Sequence, residues 1–245
     1  MPARETEGRF SRLKIAGKCG MKEPMSIMVE TFPAVAIGGQ FCNAFIGRVS
    51  ELDVTTHRKA ALASLAKYHE QARHDLGFGD MAFITAEQIH GNGVAIVDAN
   101  TRSPVAGADA LITDRPNVCL GIYVADCCAV YAIDTQNGCI GLAHSGKKGT
   151  EQGIVPAMLK KMECAYGTDP AQVIVQLSPC IRPPLYEIDF AAEIVRQCQA
   201  LEVGEIVDCG SCTGAELDRY YSYRLEKGHT GRMLALLAIS GPSED

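Results

Sequence analysis

The sequence predicts a mixed α/β fold (α+β): a single domain with mixed β-sheets flanked by helices. Short runs rich in Val, Ile and Tyr interleave with amphipathic helical patterns along the whole chain. No internal repeat or low-complexity tract divides it. A chain of 245 residues that is 47% hydrophobic is also long enough to bury one large core.

The N-terminal part of the chain contains a polar segment, short strands and one helix. Residues 1–25 are mixed and polar, and we interpret them as an N-terminal lead-in to a domain over residues 26–245. From residue 28 to residue 45 apolar residues recur without a clean period, which indicates short strands. Residues 57–73 have apolar positions at helical spacing and are predicted to form a helix. His69 lies on that apolar stripe, so we expect it to be a packed core histidine.

Three short strands are predicted next, over residues 81–85, 94–97 and 110–113. His90 lies in the connection between the first two, which is bounded by glycine. In isolation this position is typical of a histidine in a surface turn.

The strongest local signal is a β-hairpin near the middle of the chain. Two apolar runs, 120–134 and 139–144, flank a Thr-Gln-Asn-Gly turn, and Asn-Gly between such runs is typical of a hairpin. The first run contains Asp126 and Cys127, and the second ends in His144. Reactive side chains at strand ends indicate a site that is held by a rigid sheet.

The last part of the chain alternates helix and strand. A helical pattern carries an apolar stripe from Val155 to Ala165, and residues 171–177 read as a strand. An amphipathic helix begins behind Asp189, which can cap it. The final apolar run, 233–239, is a further predicted strand.

Composition and charge exclude several classes of function. The formal net charge of -6 argues against a nucleic-acid partner, which would need a clustered basic face. No 18-residue apolar run is present, so no membrane span is expected. The N-terminus lacks the apolar core of a signal peptide. The 11 cysteines therefore read as reduced thiols, and we expect a cytoplasmic protein.

The first hypothesis for the chemistry is a metal site. Cys127 with His90 and His144 could supply one thiolate and two imidazoles, a set that Zn(II) binds tetrahedrally with its fourth position open. The three residues do not form a short ligand motif, so spacing alone leaves the question open. Cys128 is the alternative thiol. Successive strand residues face opposite ways, so only one of the two cysteines should reach the metal.

Other readings of the same residues are equally open. His144 could deprotonate Cys127 to form a nucleophile, with Asp126 orienting the imidazole. Lys147 and Lys148 lie in a Gly-rich turn before a helix, which favours an anion, although the turn lacks the Ser or Thr of a phosphate-binding P-loop. The pair Cys209 and Cys212, with two residues between, is read as incidental because a second pair is missing.

An ordered set of short motifs resembles the laccase-domain family, also called multicopper polyphenol oxidase or YfiH-like proteins. The resemblance covers roughly residues 30–240. Its motifs are Gln88-Ile-His90-Gly91, Ala108-Asp-Ala-Leu-Ile-Thr113, Ala125-Asp126-Cys127, Ala143-His144-x-Gly146, Ser178-Pro-x-Ile181 with Tyr186-Glu187, Cys212-Thr213, and Tyr221-Ser-Tyr-Arg224 leading to Thr230-Gly-Arg232-Met233.

The resemblance implies a YfiH-like fold and a zinc ion bound by His90, Cys127 and His144. It implies phosphorolysis of purine nucleosides (adenosine, inosine, guanosine and methylthioadenosine), with phosphate as second substrate, and also adenosine deamination. Cys127, His144 and Asp126 would then be the catalytic residues. Copper is the less favoured metal, because three protein ligands are too few for a multicopper oxidase and the chain has only 6 His.

The resemblance also proposes substrate-binding residues: Arg48, Gln88, Lys148 and Arg224. Where the family usually reads His-Ala-Gly-Trp-Arg-Gly, this chain has Lys147-Lys148 in place of Trp-Arg. An ammonium is not equivalent to a guanidinium for oxyanion binding. Three alternatives therefore stay open: a Cys–His hydrolase, a copper-dependent polyphenol oxidase, and an inactive homologue that binds metal or nucleoside. The oligomeric state is left open.

Overall fold

Two mixed β-sheets form the frame of the computed structural model, which describes residues 4–6, 8–15, 25–54 and 57–241. Strands are numbered in chain order. One sheet has seven strands in the spatial order β1 (Arg4–Glu5), β12 (Glu205–Asp208), β11 (Val173–Leu177), β9 (Cys128–Asp134), β10 (Cys139–Ser145), β7 (Ala110–Thr113) and β6 (Val94–Ile96). The other has six, in the order β2 (Arg9–Ile15), β3 (Met25–Thr31), β4 (Phe41–Val49), β13 (Met233–Ile239), β8 (Val118–Val124) and β5 (Ala82–Thr85).

The helices cover the outer faces of this frame. They are α1 (Arg58–Asp75), α2 (Lys147–Glu151), α3 (Ile154–Tyr166) and α4 (Phe190–Ala200). α3 and α4 bury their apolar stripes against the seven-stranded sheet, and α1 packs on the other core cluster. The Asp189 carboxylate caps α4 by accepting the N–H of Ala192 at 2.9 Å. The predicted fold class and all three long helices are confirmed.

The main core lies between the two sheets. Tyr131 of β9 is fully buried there and packs edge-on against Phe32, with 5.4 Å between ring centroids. Its hydroxyl donates to the carbonyl of Ala44 on β4 at 3.1 Å, so the aromatic that fills the core also ties one sheet to the other. The sheets are therefore held in one packed unit whose shared edge can support a site.

The predicted hairpin is confirmed, but the run before it is not one strand. β9 and β10 pair antiparallel around the Asn-Gly turn, with Gly138 at φ 65°. Residues 118–124, however, belong to the six-stranded sheet, and the chain crosses to the seven-stranded sheet at Ala125–Cys127. Asp126 takes φ 80° at this crossing, a backbone state that a non-Gly residue adopts only when its surroundings hold it.

The predicted N-terminal lead-in contributes strands to both sheets. Two strands lie within residues 1–25: β1 extends the seven-stranded sheet beside β12, and β2 pairs antiparallel with β3. Residues 1–3, 7 and 16–24 of that segment lie outside the described residues, as do Thr55 and Thr56 before α1. The boundary at residue 25 stays a prediction. Among the described helices, none has the length and apolar character of a bilayer span.

Candidate active site

The edge where the sheets meet brings three chemically active side chains together. His144 lies on β10, Cys127 ends the crossing before β9, and His90 lies in the connection between β5 and β6. Their ligand atoms all lie within 4.8 Å of one another. The two imidazole rings meet edge to face, with 4.8 Å between centroids. The sequence prediction named these three residues, and the fold places them as one group.

A buried carboxylate, Asp109, organises this group from behind. Its Oδ1 accepts from Nδ1 of His144 at 2.9 Å and from the backbone N–H of His90 at 2.9 Å. Its Oδ2 accepts the N–H of Gly91 at 2.8 Å and of Ile89 at 3.2 Å. Since an ionised carboxylate only accepts, Nδ1 of His144 carries the proton and Nε2 is left as the ligand atom.

The role of Asp109 was missed at the sequence level, although the residue lies within one of the quoted motifs. The available signal is a carboxylate directly before β7, a strand buried along its whole length. Asp109 itself is fully buried, and a buried carboxylate requires hydrogen-bond or charged partners. Which partners it takes cannot be read from the motif.

The side chains of this group shift one another's pKa. Burial opposes ionisation of the Cys127 thiol, but the neighbouring His144 and His90 outweigh burial and lower the pKa of Cys127 from 9.0 to about 6. Burial likewise opposes a charge on His144, yet Cys127 and Asp109 raise its pKa to about 9. The thiolate, which is both the metal-binding and the nucleophilic form, is therefore favoured at neutral pH.

A cavity of about 720 Å³ opens over the three residues. This volume lies in the range typical of small-molecule sites. Its lining includes apolar and aromatic side chains: Tyr123, Ala125, Ile181, Tyr186, Phe190 and Tyr223. It also includes cationic side chains: Arg58, Lys147, Arg224, Lys227 and Arg232.

Comparison with known proteins assigns the family. The model of the family described as multi-copper polyphenol oxidoreductase laccase matches residues 43–201 and 186–240. This chain belongs to that family. A relative in Streptomyces coelicolor, named purine nucleoside phosphorylase, is 28% identical over 191 residues, which cover 67% of this chain and 78% of the relative. A relative of the same name in Deinococcus radiodurans is 32% identical over 190 residues, 67% of this chain and 73% of the relative.

Solved structures share the fold of this laccase-family protein. YlmD from Geobacillus stearothermophilus aligns with a TM-score of 0.76 at 23% identity and covers 86% of this chain and 94% of that one. A Bacillus licheniformis protein, YfiH, aligns with a TM-score of 0.75 at 21% identity over 87% and 96% of the two chains. The YfiH-like architecture that the motifs implied is thereby confirmed.

In this laccase-family protein Asp126 lines the cavity, but its carboxylate is already engaged. Oδ1 accepts the hydroxyl of Thr213 at 2.7 Å, and Oδ2 accepts the N–H of Arg224 at 2.7 Å. These two hydrogen bonds hold the loops that contain Thr213 and Arg224 against the crossing at Ala125–Cys127. The arrangement points to positioning of the cavity wall, while the catalytic role of Asp126 stays a prediction.

Two of the predicted substrate-binding residues lie in the cavity wall. Gln88 is buried there, and its amide exchanges hydrogen bonds with the backbone N–H and carbonyl of Tyr123 at 3.0 and 2.6 Å. The Arg224 guanidinium pairs with Glu187 and lies 4.9 Å from the Tyr186 ring centroid. Gln88 thus braces the wall, and Arg224 presents a cation to it.

The other two lie elsewhere. Among the described residues that line the cavity, neither Arg48 nor Lys148 occurs, whereas Lys147 does. Arg48 forms a 2.8 Å ion pair with Glu226 and donates to the carbonyl of Tyr220. Lys147, the residue before Lys148, contributes its charge to the cavity, because consecutive residues of a helical turn point in different directions.

Cys128 is not part of the group. It is fully buried on β9, and its Sγ lies 3.4 Å from the carbonyl of Ala129 and 3.6 Å from that of Ser178. It packs with the core under α3 and α4, whereas Cys127 borders the core between the sheets. One thiol of the pair reaches the imidazoles, as the alternation argument predicts.

Proposed function

We propose that this protein is a zinc-dependent purine nucleoside phosphorylase that also deaminates adenosine. The observation that carries the proposal is the group of His90, Cys127 and His144 at the base of a cavity with aromatic and cationic walls. The names of the relatives support the same substrate class. The purine nucleoside and phosphate are then the two small-molecule partners.

The residues present fit a zinc ion. They offer one thiolate and two imidazoles, leave a fourth position open, and include the buried carboxylate that orients a metal-binding histidine through its second nitrogen. The same two-His, one-Cys set also serves blue-copper sites, but those typically add an axial Met. A cavity that opens at the group suits the open fourth position of a catalytic zinc, so zinc is the better match.

The residues of this chain then divide the work of phosphorolysis. In this reaction a phosphate oxygen bonds to C1′ of the ribose as the C1′–N bond breaks; the electron pair leaves with the purine, and the proton released by the phosphate ends on the base. Flat aromatic faces such as Tyr186 and Tyr223 suit a purine ring. The cationic side chains of the cavity lining suit the phosphate. Bound zinc would supply Lewis-acid polarisation of a substrate oxygen or activation of water.

The test is metal content with activity in three proteins. We expect wild type to contain about one zinc per chain, as a single three-residue ligand set implies, and to release hypoxanthine from inosine only with phosphate present. Cys127→Ala should lose both metal and activity. Cys128→Ala is the matched control, a neighbouring thiol outside the group, and should keep both. Undiminished turnover in Cys127→Ala would refute the proposal. Ammonia release from adenosine without phosphate tests the deamination separately.

A second function is favoured by one specific observation. Cys127, His144 and Asp109 are arranged as nucleophile, base and orienting carboxylate, with the pKa of the thiol lowered. In a metal-free protein they would form a Cys–His hydrolase site. Zinc occupancy and this role exclude each other. Protein that is isolated without metal, yet loses a hydrolase activity when iodoacetamide alkylates Cys127, would establish the second function over the first.

A further inference from the structure

Two arginines in the cavity wall, Arg58 and Arg232, are held by backbone carbonyls. Arg232 directly precedes β13, and its side chain is only 8% exposed. Its Nη1 donates to the carbonyls of Thr230 and Gly231 at 2.9 and 2.8 Å. Arg58 opens α1 and donates from Nη2 to the carbonyl of Glu87 at 3.1 Å. Within the described ranges, neither guanidinium forms an ion pair with a carboxylate.

The acids nearest to them are held in other interactions. Glu226 pairs with Arg48 at 2.8 Å and also accepts the N–H of Ser222. The Glu87 carboxylate accepts the N–H of Gly107 at 2.8 Å. Asp126 has both oxygens engaged. These carboxylates therefore hydrogen-bond or pair with the segments around the arginines.

The two arginines also feel each other. Burial lowers the pKa of Arg232 and the charge of Arg58 lowers it further, while Tyr223, Cys127 and Asp126 act in the opposite direction. Arg232 is a buried cation, and a buried charge is costly in a protein interior unless hydrogen bonds and a nearby anion stabilise it. The positive end of α1 adds to the same field, and the first turn of that helix contains no acidic residue.

We propose that Arg58 and Arg232 form a subsite for a phosphate group, which in the proposed reaction is the attacking inorganic phosphate. The assignment rests on the proposed function for the identity of the ligand. Planar guanidinium groups match the oxygens of phosphate in a bidentate way. The subsite shares the cavity with the His–Cys–His group, so a phosphate held there lies in the same enclosure as the nucleoside.

The decisive variant is Arg58→Gln, because Arg58 is exposed at a helix start and its loss leaves the core intact. Lys59→Gln is the matched control: the same charge change one residue along, on a side chain outside this cavity wall. We expect Arg58→Gln to raise both the Kd and the KM for inorganic phosphate by roughly 10- to 100-fold, as for loss of a charged hydrogen bond. The KM for inosine should stay near wild type, and Lys59→Gln should change neither.

Titration of inorganic phosphate into wild type and into Cys127→Ala separates the subsite from the metal. Binding that persists in Cys127→Ala supports the arginines, and binding that vanishes there assigns phosphate to the metal and overturns the proposal. Inosine monophosphate is the second probe. Suppose that inosine monophosphate binds, that its binding depends on Arg58, and that inorganic phosphate does not bind. This result would overturn inorganic phosphate as the ligand and assign the subsite to the phosphate group of a nucleotide.

The two proposals fail in different ways. Normal phosphorolysis with an unchanged phosphate KM in Arg58→Gln would overturn the subsite and leave the function standing. Arg58-dependent phosphate binding without any release of purine would support the subsite and overturn the function.

Discussion

Replacing Asp109 with Asn tests whether this carboxylate positions the metal-binding group. The change keeps shape and volume but turns one acceptor oxygen into an NH₂ donor. In the wild type, one carboxylate oxygen serves His144 and His90, and the other serves Gly91 and Ile89. In either orientation of the amide, its NH₂ group will face two N–H donors, so two of the four hydrogen bonds are lost.

The magnitude follows from that count. Hydrogen bonds to charged groups contribute about 1.5–3 kcal/mol each, so losing two should lower the free energy of unfolding by roughly 3 kcal/mol or more. Loss of the carboxylate that orients a metal-binding histidine typically weakens metal affinity by roughly 10- to 100-fold. We therefore expect Asp109→Asn to lower both stability and zinc affinity.

Two assays separate these effects: urea unfolding of the metal-free protein, and competition for zinc with a chromophoric chelator. The matched control is Asp134→Asn. Asp134 is also fully buried and accepts from the N–H groups of Gln136 and Asn137, but it lies at the hairpin turn. The Asp134→Asn variant should be less stable than wild type but should keep the wild-type affinity for zinc. If Asp109→Asn also bound zinc like the wild type, the positioning role would be refuted.

Three further predictions concern other parts of the molecule. Gly146→Ala should lower zinc content measured by mass spectrometry, because a Cβ there would overlap Sγ of Cys127; full occupancy would contradict the placement of the thiol. Burial raises the pKa of Glu30 from 4.5 to about 7, so the unfolded chain releases this proton first and stability falls as pH rises through that window. Glu30→Gln should remove that loss: in urea unfolding, its free energy of unfolding relative to wild type should rise by up to about 3 kcal/mol from about pH 5 to about pH 8. The same difference between variant and wild type at both pH values would refute the assignment. Lys147→Ala should raise the KM of at least one substrate several-fold and Lys148→Ala should not, and the reverse order would restore Lys148 as the binding residue.

Local sequence signals determined most of the secondary structure. Helical periodicity predicted α1, α3 and α4, and the Asn-Gly turn predicted the β9–β10 hairpin, because these elements depend on interactions between near neighbours. The ordered motifs also identified His90, Cys127 and His144 as one group. Each of them lies at a strand end or in a tight connection, where the chain itself marks the position.

The tertiary structure alone decided the rest. Residues 120–134 read as one apolar run because β8 and β9 are buried on both faces, which removes the alternation that would show a crossing between sheets. The partners of Asp109 come from separate segments of the chain, and Arg58 and Arg232 line one cavity although they are far apart in sequence. Periodicity and motifs report local geometry. Hydrogen-bond partners and shared cavities depend on which distant segments the two sheets bring to one edge.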